Sequence, residues 1–239
     1  MSKLNIDSFL PLIDESWHND LIPFIESKEC YDIYQLLKKE PKNSVIPDSK
    51  LLWRPFKECK KQDLKVVFTG LSCYHTRHYG KNYADGLCFS TQLNETPPSL
   101  KLLKNAVEDD LQIAGIVNND LTRWANQGIL MLNLALSTSY LKAGNHVQLW
   151  QPFHEYMYKN VYSKQNGLIF IYFGKEAKAL TKLETPFIHY SKCVEHPARA
   201  ARESREFNHE KLFSYINNIL KQNNGIEIDW FEYLEEIPF

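Results

Sequence analysis

Between Leu64 and Ser90 the chain runs LKVVFTGLSCYHTRHYGKNYADGLCFS. Val66, Val67 and Phe68 form a continuous apolar run between Lys65 and Gly70. A run without polar alternation marks a strand buried on both faces. Past Gly70 the character changes. Ser72, Cys73, Tyr74, His75, Arg77, His78 and Tyr79 follow in quick succession, and the segment closes on Gly86-Leu-Cys-Phe89. In an open α/β sheet, ligands bind outside the carboxyl ends of the strands. The loop after Gly70 is therefore the first candidate site.

Working outward, three further apolar runs have the same make-up. Ile129-Leu-Met-Leu ends on Asn133, Leu168-Ile-Phe-Ile-Tyr-Phe lies between Gly167 and Gly174, and Phe187-Ile-His-Tyr190 precedes His196-Pro197. Between them lie helical patterns. Ser99 reads as an N-cap for a helix through Ile113, with Leu100, Leu103, Val107 and Leu111 on one face. Thr122-Arg-Trp-Ala-Asn-Gln-Gly is a short helix stopped by Gly128, Leu149–Tyr162 and Lys175–Leu183 are helical, and Phe207–Lys221 is the last long helix. Residues 1 to about 45 carry two helical patterns, the second ended by Pro41. Strands alternating with helices predict an α/β protein. Its architecture is a three-layer α/β/α sandwich around a four-stranded, mostly parallel sheet. The whole chain, 1–239, is read as one domain, with residues 1–60 a helical N-terminal extension packed on it.

Three strands end in polar groups at one sheet edge: the loop after Gly70, Asn133, and His196. Taken singly, each has a bland explanation, since Asn caps turns and His-Pro begins them. Their convergence on one edge favours a site.

Composition narrows the function. Apolar residues make up 44% of the 239, enough for a core, and the net charge is -1. A nucleic-acid binder with that charge must gather its Lys and Arg on one face. The five cysteines, Cys30, Cys59, Cys73, Cys88 and Cys193, are scattered and odd in number. They give neither a disulfide framework nor zinc spacing, so no metal and no cofactor are expected. Cys73 beside His75 could be a nucleophile pair, but both Cys73 and Cys88 read first as small buried hydrophobes. No apolar run approaches the ~20 residues of a membrane span. The expectation is an intracellular protein, cytoplasmic or nucleoid-associated, with no membrane partner, acting as a monomer.

The motifs resemble family 1 of the uracil-DNA glycosylases over roughly Leu64 to Trp230. The matching stretches are Tyr74-His75, Gly86-Leu-Cys-Phe-Ser90, Pro97-Pro-Ser-Leu100, Trp124 through Asn133, Gly167-Leu-Ile-Phe170, His196-Pro197 and Ile228-Asp-Trp230. Members flip a nucleotide out of the duplex and cleave its N-glycosidic bond. The resemblance implies DNA as the partner. It makes Phe89 the stacking face for the base, Asn133 the amide that reads its edge, and His196 the donor to the leaving base. Tyr74 becomes the wall that excludes C5 substituents, and Leu71 a base-binding backbone position. Pro98, Ser99, Lys175, Arg199 and Arg202 become contacts to the DNA backbone.

The first motif departs from the family. Gly-Gln-Asp-Pro-Tyr-His is replaced by Gly70-Leu71-Ser72-Cys73-Tyr74-His75. The Asp that faces the sugar cation has become Ser72, and losing one preorganised electrostatic group costs ~2.7–4 kcal/mol. The loop from His75 to Gly86 is longer than the family's, and it offers Asp85 as a replacement carboxylate or His75 as a substitute base. After His196-Pro197 the family's Ser and apolar wedge are replaced by Ala198, Arg199, Ala200, Ala201 and Arg202. Two classes of function remain open. One is a glycosylase acting on a modified pyrimidine, for example a hydroxymethylated or glucosylated cytosine of phage DNA, with a role in antiviral defence. The other is an inactive glycosylase-like DNA binder or a weak ordinary uracil-DNA glycosylase.

Overall fold

The computed structural model describes residues 4–183, 190–223 and 226–232. After three short 3-10 turns, the chain forms α1 (His18–Ile25), α2 (Lys28–Lys38), β1 (Val45–Ile46), α3 (Arg54–Glu58) and β2 (Val66–Ser72). A small hairpin follows, β3 (Arg77–His78) and β4 (Lys81–Asn82). Then come α4 (Pro98–Leu111), α5 (Thr122–Asn126), β5 (Ile129–Ala135), β6 (Thr138–Ser139), α6 (Val147–Asn160) and β7 (Ile169–Phe173). The chain continues through α7 (Gly174–Lys178), β8 (Tyr190–Val194), α8 (Pro197–Arg202) and α9 (Leu212–Asn223).

The main sheet has the order β5-β2-β7-β8, and every pair in it is parallel. Alternate residues of a strand face opposite sides, and here the two sides feed two cores. Val67, Leu130, Leu132, Phe170 and Tyr172 pack with Trp17, Phe24, Trp53, Phe56, Trp150 and Phe153 from α1, α3, α6 and the turn before α1. Val66, Phe68, Met131, Ile171 and Phe173 pack with Leu103, Val107, Trp124, Phe213, Ile216 and Trp230 from the opposite layer. The sheet is thus covered on both faces, which is why Val66-Val-Phe68, Ile129-Leu-Met-Leu132 and Ile169–Phe173 are unbroken apolar runs, whereas the edge strand Tyr190–Val194 is more polar and only partly buried. Residues of the N-terminal helices, including Leu21, Phe24, Ile33 and Leu37, belong to the first core.

Several boundaries differ from the sequence expectation. Ser99 is not the N-cap: Pro97 holds that position and Pro98 is the first helical residue, as suits a residue without an N–H. The last helix begins at Leu212, five residues later than Phe207. The fourth strand runs Tyr190–Val194; residues 187–189, where it was expected to begin, lie outside the described residues. Pro197–Arg202 form a further helix, α8, with His196 as its N-cap, where the sequence pointed only to a His-Pro turn. The polar loop after His75 contains the β3–β4 hairpin, turned through Tyr79 and Gly80, both at positive φ.

The register brings the site together. Gly70 pairs with Asn133, and Ser72 with Ala135. The carboxyl ends of β2 and β5 are therefore level with each other.

Candidate active site

At those strand ends lies a cleft of about 800 Å³. Leu71, Ser72, Tyr74, His75, Phe89 and Ser99 line it from the β2 side, and Gly174, Lys175, Glu176, His196, Arg199 and Arg202 from the β7–β8 side.

Phe89 is held at φ 65°, a backbone conformation uncommon for a non-glycine residue. Its ring sits edge-on to Phe173 at 4.7 Å and 5.5 Å from the His196 ring. The Tyr74 hydroxyl donates to the Phe89 carbonyl at 2.8 Å, and the Ser99 hydroxyl lies 3.2 Å from Tyr74 Oη. Burial pushes the Tyr74 phenol well above its usual range, so it stays a neutral donor that fixes Phe89. Asn133 is buried beside them. A β-carbon placed on Gly70 would lie 2.7 Å from Asn133 Oδ1, 2.6 Å from Cys88 Sγ and 3.7 Å from Phe89 Cζ. Glycine at 70 is what lets the amide and the ring approach one point. Phe89 and His196 line the cleft together, while Asn133 lies beside Phe89 at Gly70 and is not among the cleft's lining residues.

His196 ends the loop after β8 and caps α8, its Nδ1 accepting from the Ala198 N–H at 3.1 Å. A neutral imidazole that accepts at Nδ1 carries its proton at Nε2. Burial, with the positive charge of Arg202 adding to it and Glu176 opposing it, lowers the His196 pKa to about 4. The ring is thus neutral at pH 7, with an N–H donor at Nε2. Gly174 has φ 90°, and a β-carbon there would come within 3.1 Å of His196 Cβ. No other residue type suits both conditions.

Ser72 lines the cleft, but its hydroxyl is occupied. It accepts from the Gly144 N–H at 3.1 Å and donates to the Cys73 carbonyl at 3.2 Å. The Leu71 side chain packs 3.7 Å from the position a Gly144 β-carbon would take. The His75 carbonyl accepts from Leu141 N at 2.8 Å, so the loop after β6 is bound to the β2 end at both residues. Cys73 is buried, its Sγ lies 3.3 Å from the Ile46 carbonyl, and burial raises its thiol pKa. It is a packed hydrophobe, not a nucleophile.

Asp85 is a correction. It does not line the cleft. Its carboxylate is 3% exposed, paired to Arg54 Nη1 at 2.7 Å, and accepts from Ser90 Oγ at 2.6 Å and Leu87 N at 3.1 Å. Both its oxygens are engaged in tying the Gly86–Phe89 turn to α3, which removes it as a replacement for the lost aspartate. Arg54, its partner 31 residues away, was not recognisable from the sequence.

Among the expected backbone contacts, Pro98 is exposed and Ser99 buried. Lys175 is 90% exposed at its side chain. Arg199 donates from Nε to Glu203 at 2.9 Å and lies 3.9 Å from Glu195. Arg205, outside the cleft lining, bridges the same two glutamates. Arg77 is turned onto the Asn43 carbonyl, Asn82 and the Tyr140 ring. Glu176 was overlooked. The signal was present, since it stands two residues after Gly174 at a strand end.

Among the described residues no group of His, Cys, Asp or Glu could hold a metal ion, and no helix is long and apolar enough to cross a membrane.

No family model matches the chain. Curated proteins do. It is 32% identical over 222 residues to the uracil-DNA glycosylase of Pseudomonas aeruginosa, covering 91% of this chain and 94% of that one. To the uracil-DNA glycosylase of Campylobacter jejuni subsp. doylei it is 32% identical over 231 residues, 95% of this chain and 96% of the relative. Among solved structures, mimivirus uracil-DNA glycosylase superposes with a TM-score of 0.83 at 23% identity, over 96% of this chain and 90% of that one. The wild-type UNG of Nitratifractor salsuginis gives 0.62 at 18% identity, over 88% and 95%. With one third of its residues identical to such relatives over nearly its whole length, the chain belongs to the uracil-DNA glycosylase family.

Proposed function

We propose that this chain is a DNA glycosylase that excises a modified pyrimidine rather than plain uracil. The observation that carries the reading is the rebuilt wall beside an intact base cradle. Tyr74, the residue that would stand against C5 of a bound pyrimidine, is in edge contact with Tyr83 at 6.1 Å. Tyr83 in turn meets His78 at 5.8 Å. The added β3–β4 hairpin therefore bears on that wall. A cleft of about 800 Å³ has room for a nucleotide with a substituent.

In this reading a flipped base stacks on Phe89 and pairs its edge with the Asn133 amide. An amide can present either its oxygen or its NH2, so it suits a uracil-like or a cytosine-like edge. The backbone at Leu71 completes the base contact. His196 donates from Nε2 to the oxygen of the departing base, a preorganised donor aimed at developing charge. Because it is already neutral, it acts without giving up a full proton. Ser72 and His75 border the sugar. Pro98, Ser99, Lys175, Arg199 and Arg202 contact the backbone on either side; Arg199 must exchange its glutamate partners for phosphate. Hydroxymethylated and glucosylated cytosines of phage DNA are substrates of the required size, and such a substrate puts the activity in antiviral defence inside the cell.

The test is incubation with duplexes carrying uracil, cytosine, hydroxymethylcytosine or glucosylated hydroxymethylcytosine, scored for alkali-sensitive abasic sites. Strand cleavage at a modified base, with uracil left nearly intact, is the expected result. Rapid loss of uracil would make the chain an ordinary member of the family. DNA binding with no excision of any base would make it an inactive binder.

A further inference from the structure

Three carboxylates line the cleft: Glu176, Glu195 and Glu203. Two are neutralised. Glu195 accepts from Arg205 Nη1 at 2.7 Å, and Glu203 accepts from Arg199 Nε at 2.9 Å and Arg205 Nε at 2.7 Å. Glu176 differs. The ion pair it makes is with Lys175 at 3.9 Å, and that lysine side chain is 90% exposed. A pair so long and so wet leaves the carboxylate's field almost undiminished.

Its position is specific. A β-carbon placed on Gly174 would lie 3.6 Å from Glu176 Oε2, 3.1 Å from His196 Cβ and 3.8 Å from His196 Cδ2. Cδ2 is bonded to Nε2, the donor nitrogen. Carboxylate and imidazole therefore surround one point, with the glycine at 174 keeping the space between them clear. The Glu176 side chain is 45% exposed, so a substrate can reach it.

We propose that Glu176 is the catalytic carboxylate of this chain, facing the sugar cation in the role that Ser72 no longer fills. The proposal rests on the glycosylase reading. As the bond between C1′ and the base nitrogen breaks, its electron pair leaves with the base, and the base oxygen is held by the His196 N–H. The sugar is left with a positive charge, which the Glu176 carboxylate stabilises from the other side of Gly174. Water then adds to C1′. Its departing proton passes to Glu176 and from there to the base anion, so the net reaction is hydrolysis with no other reactant. Ser72 can still hold a water through its remaining lone pair, but it carries no charge to offer. Glutamate reaches farther than the lost aspartate, as it must from the opposite wall of the cleft.

The test uses two base-free duplexes, one carrying a cationic pyrrolidine in place of the deoxyribose and one a neutral tetrahydrofuran. Binding of each is followed by fluorescence anisotropy at low salt. Wild-type protein is expected to prefer the cation by about tenfold, because a group that stabilises the transition state binds its charge mimic more tightly. Glu176→Gln should erase that preference while leaving affinity for the neutral duplex within about twofold, since a removed interaction specific to the cation leaves uniform binding untouched. Glu176→Ala guards against a glutamine that hydrogen-bonds the pyrrolidine, and thermal melting of both variants confirms the fold. A wild type without preference, or variants that keep it, overturns the proposal. Neither duplex contains a base. A cation preference that depends on Glu176, together with no excision of any modified base, would sink the substrate reading alone; excision that persists in Glu176→Gln sinks Glu176 alone.

Discussion

The Ser72 hydroxyl donates to one carbonyl and accepts from the Gly144 N–H, so it is a structural strut as much as a site residue. A carboxylate in its place can still accept from Gly144, and it would add the missing charge. Ser72→Asp is therefore expected to fold and to raise residual excision of uracil by up to about 100-fold, the lower end of what one preorganised group supplies. Unchanged uracil turnover in single-turnover assays would mean that Cys73, where the family has proline, or the Gly144 loop withholds the geometry. Gly70 gives a complementary prediction. Any side chain there collides with Asn133 Oδ1 and Cys88 Sγ. Gly70→Ala should cut excision at least tenfold through a displaced amide, since an error of ~1 Å in positioning costs ~100-fold, while duplex binding persists. Equal loss of binding and excision would show that the strand end itself has come apart.

Arg54 and Asp85 show what an element-scale contact does that a local pattern cannot announce. Their ion pair, with Arg54 also reaching Asp120 and Thr122, pins α3, the Gly86–Phe89 turn and the start of α5 together. Removing one partner of a buried pair costs ~3–5 kcal/mol. Asp85→Asn should accordingly lower the urea midpoint and lose activity only as folded protein is lost; a variant that melts like wild type but cannot cleave would return Asp85 to the chemistry. Three of the four sheet strands were legible because both faces are covered, so apolar runs stand out without alternation; β8, Tyr-Ser-Lys-Cys-Val, has no such run. Asn133 stood out because it follows such a run directly; His196, two residues past β8, stood out through the His-Pro pair. The β3–β4 hairpin was not: its strands are two residues each, too short for periodicity, and only the Tyr79-Gly80 turn hinted at it. The Asp85 carboxylate was misplaced for a related reason. Its position just before Gly86-Leu-Cys-Phe89 suggested the rim, and nothing local revealed an arginine 31 residues upstream. Shortening the hairpin between His78 and Tyr83 is expected to relax the Tyr74 wall and to remove excision of a bulky base more than excision of uracil, read as a ratio of kcat/KM values.

Over the whole molecule the cleft gathers Lys175, Lys178, Arg199 and Arg202 against Glu176, Glu195 and Glu203, a modest excess of positive charge on a chain of net charge -1. Affinity for DNA should therefore fall with salt, with a log–log slope of about −0.9 per phosphate neutralised, and a salt-independent affinity would rule out this face as the footprint. The same economy of charge extends to two buried histidines. His154, 2% exposed, donates from Nε2 to the Leu134 carbonyl at 3.0 Å, and burial lowers its pKa to about 4. His196 is lowered to about 4 as well. Both are neutral in the folded protein, while in the unfolded chain each takes up a proton near pH 6.5. Between pH 6.5 and 4 the unfolded state thus binds more protons, so stability rises with pH across that window and is lost as pH falls. For His154 the loss is about 2 kcal/mol by pH 5; for the less buried His196 it is smaller. His146, also buried and lowered by burial, adds to the same slope, so the His154 share is read from a variant. Urea midpoints measured at pH 7, 6 and 5 should fall steadily, and His154→Gln should flatten the slope. A midpoint constant from pH 7 to 5 would mean that the folded protein accepts these protons, and His196 would then be a charged donor to the leaving base rather than a neutral one.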